Sequence, residues 1–390
     1  MKAIPYGKQH ITDADIEAVV RVLRADYLTQ GPEIQQFETA FATYTGSKYA
    51  VAVANGTAAL HLAAMALGVE AGQKVITTPI TFAASANCVE YCGGEVIFSD
   101  IDPATYLLDL TTLREQLLAD KNIKGIIPVQ FAGRMVDMEA LRQLADEFGL
   151  WIIEDACHAP GAYFSDSKGT KQHAGNGFFA ECSIFSFHPV KHIAAGEGGM
   201  ITTNDKTLYD RMCLLRSHGI TRDTGRFQHT PATIGGENDF PLWYMEMQEL
   251  GYNYRLTDFQ AALGRSQLAR ADEGMEKRRA IAARYAAAFT DESFVLGQSG
   301  SVEGHGYHLY ILEVADRLGL YNFLRTKGIY AQIHYIPCHL MPYYSNKKGG
   351  QKTLPAAETY YQHCISLPMY PTLTEEEQQF VIQTIKSWYA

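Results

Sequence analysis

The 390-residue chain lacks any CxxC pair: Cys88, Cys92, Cys157, Cys182, Cys213, Cys338 and Cys364 are scattered through apolar segments. That spacing indicates neither a disulfide framework nor a zinc site. Basic residues are also in deficit, with 33 lysines and arginines against 43 acidic residues and a formal charge of −10. Such a balance argues against nucleic acid or an anionic membrane as the main partner, so a phosphate-bearing ligand must be held locally. No segment has the apolar length to span a bilayer, and the start MKAIPYGKQHITD lacks the apolar core of a secretory leader. A soluble, cytoplasmic protein is expected. No GxGxxG follows an early strand, which argues against a nicotinamide-dependent oxidoreductase. Internal repeats and low-complexity tracts are absent.

The length exceeds what one core usually serves, which predicts a large and a small domain with their boundary inside residues 270–280. Thr12 and Asp15 form a capping-box-like start to a helix carrying Ile16, Val19, Val20 and Leu23 at helical spacing. YLTQGP (27–32) breaks it, and Ile34, Phe37 and Phe41 mark the next helix. Strand-like runs then alternate with helical ones: YAVAVA and TAALHLAAMAL, KVITTPI and a helix through Ala83 to Tyr91, GIIPVQF and MEALRQLADEFG, then LWIIED. This alternation predicts a mostly parallel sheet with helices on both faces. Residues 222–250 show neither period and are rich in glycine and aromatics; such a long excursion is expected to close over the site. A helical stretch near 255–289, strand-like HLYILEV and IYAQIHYI, and helices around 317–327 and 373–388 predict the smaller α/β domain.

Ligands of such sheets bind beyond the carboxyl ends of the strands, where Asn55 and Asp155 fall. Asn55, Gly56, Thr57 and Ala58 form a strand-to-helix turn whose amides suit a phosphate, without a Walker lysine; an ordinary capped Asn-Gly turn reads the same way. Ser186 can add a hydroxyl. Asp155 emerges from a buried strand and suits a cationic partner such as a protonated pyridine nitrogen, or caps a helix. His158 can reach a ring oxygen or bond the backbone, and Phe82 can stack on a flat ring or be core. Lys191 lies among Phe185, Phe187, Pro189, Val190 and Ile193, where desolvation favours the free amine that holds a carbonyl cofactor. Cys157 beside His158 is set aside as a thiol catalyst, because adjacent residues rarely face each other.

The ordered segments NGTAAL, PITFAASAN, EDACHAPGA, SFHPVKHIAAGEGGMITTND, RSHGI, GYNYRLTDFQAALG and QIHYIPCH resemble the DegT/DnrJ/EryC1/StrS family of sugar aminotransferases over nearly the whole chain. The resemblance implies the fold-type I α/β architecture of enzymes that use pyridoxal 5'-phosphate. It implies a cofactor-binding part over 1–275 and a small C-terminal part over 276–390. It implies that Lys191 bonds the cofactor and moves the proton, that Asp155 faces the pyridine nitrogen and that Phe82 stacks on the ring. Gly56, Thr57, Ala58 and Ser186 would hold the phosphate, and His158 would lie near the phenolic oxygen. Asn253 would reach the phosphate of a second subunit in a homodimer with shared sites. Tyr6, Leu28, Thr29, Gln30, His334 and Tyr335 match segments that line the sugar-nucleotide pocket.

Some relatives that dehydrate sugars carry histidine in place of the lysine; here Lys191 is kept and His192 follows it. Transamination needs the amine, because an imidazole cannot bond the carbonyl carbon in the same way. YGKQHI with YLTQGP, SFHPVKHI and HYIPCH look most like members that aminate C4 of a UDP-linked 4-keto-6-deoxy-HexNAc for pseudaminic acid, with L-glutamate as donor. The alternative is another C4 or C3 aminotransferase acting on a dTDP-hexose or UDP-pentose.

Overall fold

A computed structural model describes residues 3–234, 239–347 and 353–390. A short strand β1 (Ile4–Pro5) is followed by β2 (Tyr49–Val53), β3 (Lys74–Thr77), β4 (Glu95–Phe98), β5 (Ile123–Ile127) and β6 (Trp151–Asp155), with helices between them. A small hairpin, β7 (Tyr163–Ser165) and β8 (Lys171–His173), precedes β9 (Cys182–Ser186) and β10 (Gly199–Thr203). Strands β2 to β6, β9 and β10 form a seven-stranded sheet in the order β2-β10-β9-β6-β5-β3-β4. β10 alone runs opposite to the other six strands.

Short apolar runs such as KVIT and WIIED make these strands because both faces of the sheet are covered. Alternate residues show this directly. Val51 and Val53 join one core with Ile184 and Ile201, while Ala50 and Ala52 join another with Phe185 and Met200. A strand's period of two sends neighbours to opposite faces, so each face has its own packed layer.

The first helix, Asp13–Leu23, starts as its sequence predicts, with the Thr12 amide donating to Asp15 Oδ2 at 2.9 Å. The stretch 255–289 is two helices, Asp258–Leu268 and Ala271–Phe289. Strands β11 (Ile220–Thr221) and β12 (Glu246–Met247) pair across the ends of the aperiodic segment, of which residues 235–238 lie outside the described residues. Farther on, β13 (Val295–Gln298), β14 (Tyr310–Val314) and β16 (Cys364–Leu367) form an antiparallel sheet, and β15 (Ile329–Tyr330) pairs in parallel with β1. A separate apolar cluster joins Ile4 to Ile281, Tyr285, Tyr310, Leu312, Ile365 and Val381.

The expected strand IYAQIHYI forms only at Ile329–Tyr330, with one further bridge from Gln332 to Ser366. The reason is local: the His334 carbonyl accepts from Tyr360 Oη at 2.7 Å, and its ring Nδ1 pairs with Ser366 Oγ at 2.9 Å. Side chains take the place of a ladder partner. Among the described residues no helix is long and apolar enough to cross a membrane.

Candidate active site

The ends of four strands converge on one place. Asp155, the last residue of β6, lies opposite Ile184 of β9, and Gly199 of β10 faces both Ser186 and Val53. Close approach requires glycine here: a Cβ on Gly199 would lie 2.5 Å from the Asn55 carbonyl oxygen, and one on Gly56 would lie 3.0 Å from Ser186 Cβ. Asn55 caps the helix Gly56–Ala66, its Oδ1 accepting from the Ala58 amide at 2.8 Å. The cap uses the Ala58 amide, and Ala58 does not line the cavity in front of it, whereas Gly56 and Thr57 do. The first turn therefore offers the amides of Gly56 and Thr57, at the positive end of the helix dipole.

That cavity, of about 430 Å³, is also lined by Phe82, Asp155, His158, Ser186 and Lys191, and by Tyr6, His334 and Tyr335. The sequence-predicted residues are thus largely brought together. Lys191 sits in the connection from β9 to β10, its amide bonded to the His188 carbonyl at 2.9 Å. Burial pulls its ammonium below the ordinary lysine range, opposed by nearby Cys157 and Asp155 and assisted by the Arg278 charge. Arg278 is itself buried, drawn down to about 10 by that burial. Its Nη1 donates to the carbonyls of Tyr307, His308 and Met369 at 3.1, 3.3 and 3.0 Å.

Asp155 is buried and accepts two hydrogen bonds, from Ser85 Oγ at 2.6 Å and from the Cys157 amide at 3.1 Å. Both ring nitrogens of His158 are engaged, Nδ1 by the Ala132 amide and Nε2 by Tyr335 Oη, each at 3.2 Å. Burial holds this imidazole well below its ordinary pKa, helped by the charges of Lys191, His334 and His192. Burial likewise takes His334 down to about 3, with Lys191 adding to it. Phe82 is 65% exposed, an unusual state for a phenylalanine, and its ring lies edge-to-face with Tyr335. The Cys157 thiol is pushed well up by burial, which is the opposite of what a thiol nucleophile needs.

Other predicted residues stand elsewhere in the single chain. Leu28, Thr29 and Gln30 are exposed and do not line the cavity. Their loop is tied to the helix Asp258–Leu268: the Leu28 carbonyl accepts from the Asp258 amide at 2.9 Å, and the Asp258 carboxylate accepts from the amides of Gly31 and Glu33 at 2.8 and 3.0 Å. Asn253 is exposed, bridged to Ser217. None of the described residues of 222–250 lines the cavity.

Ser85 and His308 were not found by sequence reasoning. Ser85 lies three residues after Phe82 near the start of one helix, a weak signal; His308, whose Nε2 is 3.5 Å from Lys191 Nζ, comes from 117 residues away. Among the described residues, Lys191 is the only lysine or arginine that lines the cavity. A buried amine, a bonded carboxylate, an exposed ring face and two amides at a helix start fit a flat aldehyde that carries a phosphate.

Comparison with known proteins points the same way. The model of the DegT/DnrJ/EryC1/StrS aminotransferase family matches residues 9–386. The spore coat polysaccharide biosynthesis protein SpsC of Bacillus subtilis is 34% identical, over 98% of this chain and 96% of its own. The UDP-4-amino-4,6-dideoxy-N-acetyl-beta-L-altrosamine transaminase of Campylobacter jejuni is 35% identical, over 98% of this chain and 97% of its own. Among solved structures, Helicobacter pylori PseC, an aminotransferase of pseudaminic acid biosynthesis, superposes with a TM-score of 0.87 at 30% identity, covering 99% of both chains.

Proposed function

Because the chain belongs to the DegT/DnrJ/EryC1/StrS aminotransferase family and is a sugar aminotransferase that depends on pyridoxal 5'-phosphate, we propose which sugar it aminates. The proposed acceptor is UDP-2-acetamido-2,6-dideoxy-beta-L-arabino-hex-4-ulose, aminated at C4 to UDP-4-amino-4,6-dideoxy-N-acetyl-beta-L-altrosamine, a step towards pseudaminic acid. L-glutamate is the donor and leaves as 2-oxoglutarate. One site serves both substrates in turn, which gives ping-pong kinetics. The likeness to the Campylobacter transaminase and to PseC supports this acceptor, together with Tyr6, His334 and Tyr335 on the cavity wall.

The observation that carries the catalytic reading is the buried, deprotonation-prone Lys191 in the same cavity as the doubly bonded Asp155. Bound there, pyridoxal 5'-phosphate supplies an aldehyde carbon that takes up an amino group and a ring that stores an electron pair. Lys191 Nζ would hold the aldehyde carbon and, as a free amine, would take up and return the proton. The Asp155 carboxylate, kept in place by Ser85 and the Cys157 amide, would pair with the pyridine nitrogen. Phe82 would cover one face of the ring. Gly56, Thr57 and Ser186 would receive the phosphate at the helix start.

A homodimer with shared sites belongs to this reading. A phosphate, a nucleotide diphosphate and the carboxylates of glutamate need cations, and one chain brings only Lys191 to the cavity among its described residues. Exposed Asn253 and the Leu28–Gln30 loop, with the uncovered side chains of Leu242, Trp243 and Leu250, are what a second copy would meet. We read residues 1–275 and 276–390 as the cofactor-binding and small parts; apart from Ile4, the second apolar cluster is drawn from Ile281 onward, while Leu309, Ile311, Cys338 and Tyr360 of the small part pack into the main core.

The test offers purified protein glutamate and a panel of keto sugars while the cofactor's visible absorbance is followed. Turnover confined to the UDP-linked 6-deoxy-4-keto HexNAc is expected. Equal turnover of a dTDP-hexose or a UDP-pentose would assign the other specificity, and borohydride labelling at any lysine but Lys191 would overturn the site.

A further inference from the structure

His158 has its hydrogen-bond roles fixed by its neighbours. A backbone amide can only donate, so the Ala132 N–H, 3.2 Å from Nδ1, makes that nitrogen the acceptor. A neutral ring then carries its proton on Nε2, and that N–H donates to Tyr335 Oη at 3.2 Å. The phenol oxygen is accepting, so its own hydrogen must go elsewhere. Tyr335 lines the cavity, and among the described residues the structure records no protein acceptor for that hydroxyl other than the His158 contact.

The backbone at Ala132 is shaped for this contact. Ala132 has φ of 58°, in the left-handed region that non-glycine residues seldom occupy, inside the turn Phe131–Gly133. Strain of this kind concentrates where a surrounding structure needs a group aimed in one direction. Here the aimed group is the amide that sets the tautomer of a catalytic-pocket histidine. Ring packing holds the pair: the planes of His158 and Tyr335 are 27° from parallel, and Phe131 packs against both.

We propose that Ala132, His158 and Tyr335 form a directional donor chain, in which Tyr335 presents its O–H to the phenolic oxygen of the cofactor and His158 is a positioning residue behind it. The inference rests on the proposed placement of the cofactor in this cavity. It changes the role expected of His158, which acts through Tyr335 and not by direct contact. The environment keeps the chain pointing one way. Burial holds the His158 ring neutral, assisted by Lys191, His334 and His192, and burial raises the Tyr335 phenol, assisted by Tyr6, Asp155, Cys157 and Cys338.

Two measurements test it. In the cofactor-loaded protein, the pH at which the visible absorbance changes should rise by about one unit in Tyr335→Phe, the effect of losing one donor to a charged oxygen. His158→Phe should shift it similarly, the double variant no further than either alone, and His158→Gln, which keeps a side-chain N–H, should restore part of the shift. An unmoved transition in Tyr335→Phe, or shifts that add, would overturn the chain. In cofactor-free wild-type protein labelled with nitrogen-15 histidine, His158 should be the Nε2–H tautomer at neutral pH. An Nδ1–H tautomer refutes the proposal whether or not the cofactor binds as placed, whereas failure of the protein to take up pyridoxal phosphate would refute the placement alone.

Discussion

Replacing Lys191 by methionine should abolish transamination and yet stabilise the cofactor-free protein. Lys191 is desolvated, its closest recorded side-chain partner is His308 at a long 3.5 Å, and the buried Arg278 charge opposes its own. Methionine has a similar length without the charge. Relief of a poorly compensated buried cation is worth about 1–3 kcal/mol. With an unfolding entropy near 2 cal/mol/K per residue, that corresponds to a Tm rise of about 1–4 °C for a chain of this size.

The pH dependence has a definite sign. An unfolded lysine is protonated below about pH 10.4. The folded pKa of Lys191 is lower, so between the two values the unfolded state binds one more proton than the native state. Wild-type stability therefore rises with pH across that window, by up to about 1.4 kcal/mol per unit, and the methionine variant lacks this dependence. The variant's advantage should be clear at pH 7.5 and gone near pH 10.5. Thermal unfolding of both cofactor-free proteins by circular dichroism at pH 7.5, 9 and 10.5 measures it. A gap that stays constant with pH, or a wild type that is the more stable at pH 7.5, would show that Lys191 is not a desolvated amine.

Three further outcomes are expected. Ser85→Ala removes the 2.6 Å donor to Asp155, a charge-assisted bond worth about 1.5–3 kcal/mol; both half-reactions should slow by about 10–100-fold in stopped-flow traces, with cofactor still bound, and unchanged rates would remove Asp155 from the chemistry. Asp258→Ala frees the amides of Gly31 and Glu33 and should raise KM for the nucleotide sugar by roughly tenfold, while the glutamate half-reaction stays within about twofold; equal effects on both would deny the loop its sugar role. Gly219→Ala puts a Cβ 1.8 Å from the Glu249 carbonyl oxygen at a φ of +69° and should cost at least about 3 kcal/mol, read as a lowered urea midpoint; an unchanged midpoint would mean that the junction of β11 and β12 is not rigid.

The parts of the site legible in the sequence are those made by a single strand and the turn after it. Asn55 follows β2, Asp155 ends β6 and Lys191 follows β9, and each announces itself by polar residues after an apolar run. What stayed hidden is held by distant segments. Ser85 reaches Asp155 across 70 positions and Tyr335 reaches His158 across 177, and no local pattern encodes either pairing. IYAQIHYI misled because its apolar alternation is real, but after Tyr330 its polar groups are satisfied by the side chains of Tyr360 and Ser366. The Leu28–Gln30 loop does not line this chain's cavity, and Asn253, expected at the phosphate of a second subunit, lies outside it too.

Gly199 facing Ser186 closes the loop that carries Lys191 within one hairpin. Its contacts are close in sequence, so little loop entropy stands against forming it, and such local pairings form fast. Asp155 joins when β6 pairs beside β9. Of the groups around the amine, His308 and Tyr335 arrive only with the C-terminal third of the chain. A nascent chain released from the ribosome as far as Thr203 already holds the lysine, the phosphate turn and the carboxylate, so hydrogen exchange on a stalled chain of that length should find β9 and β10 protected before the histidine and tyrosine that complete the site have been synthesised.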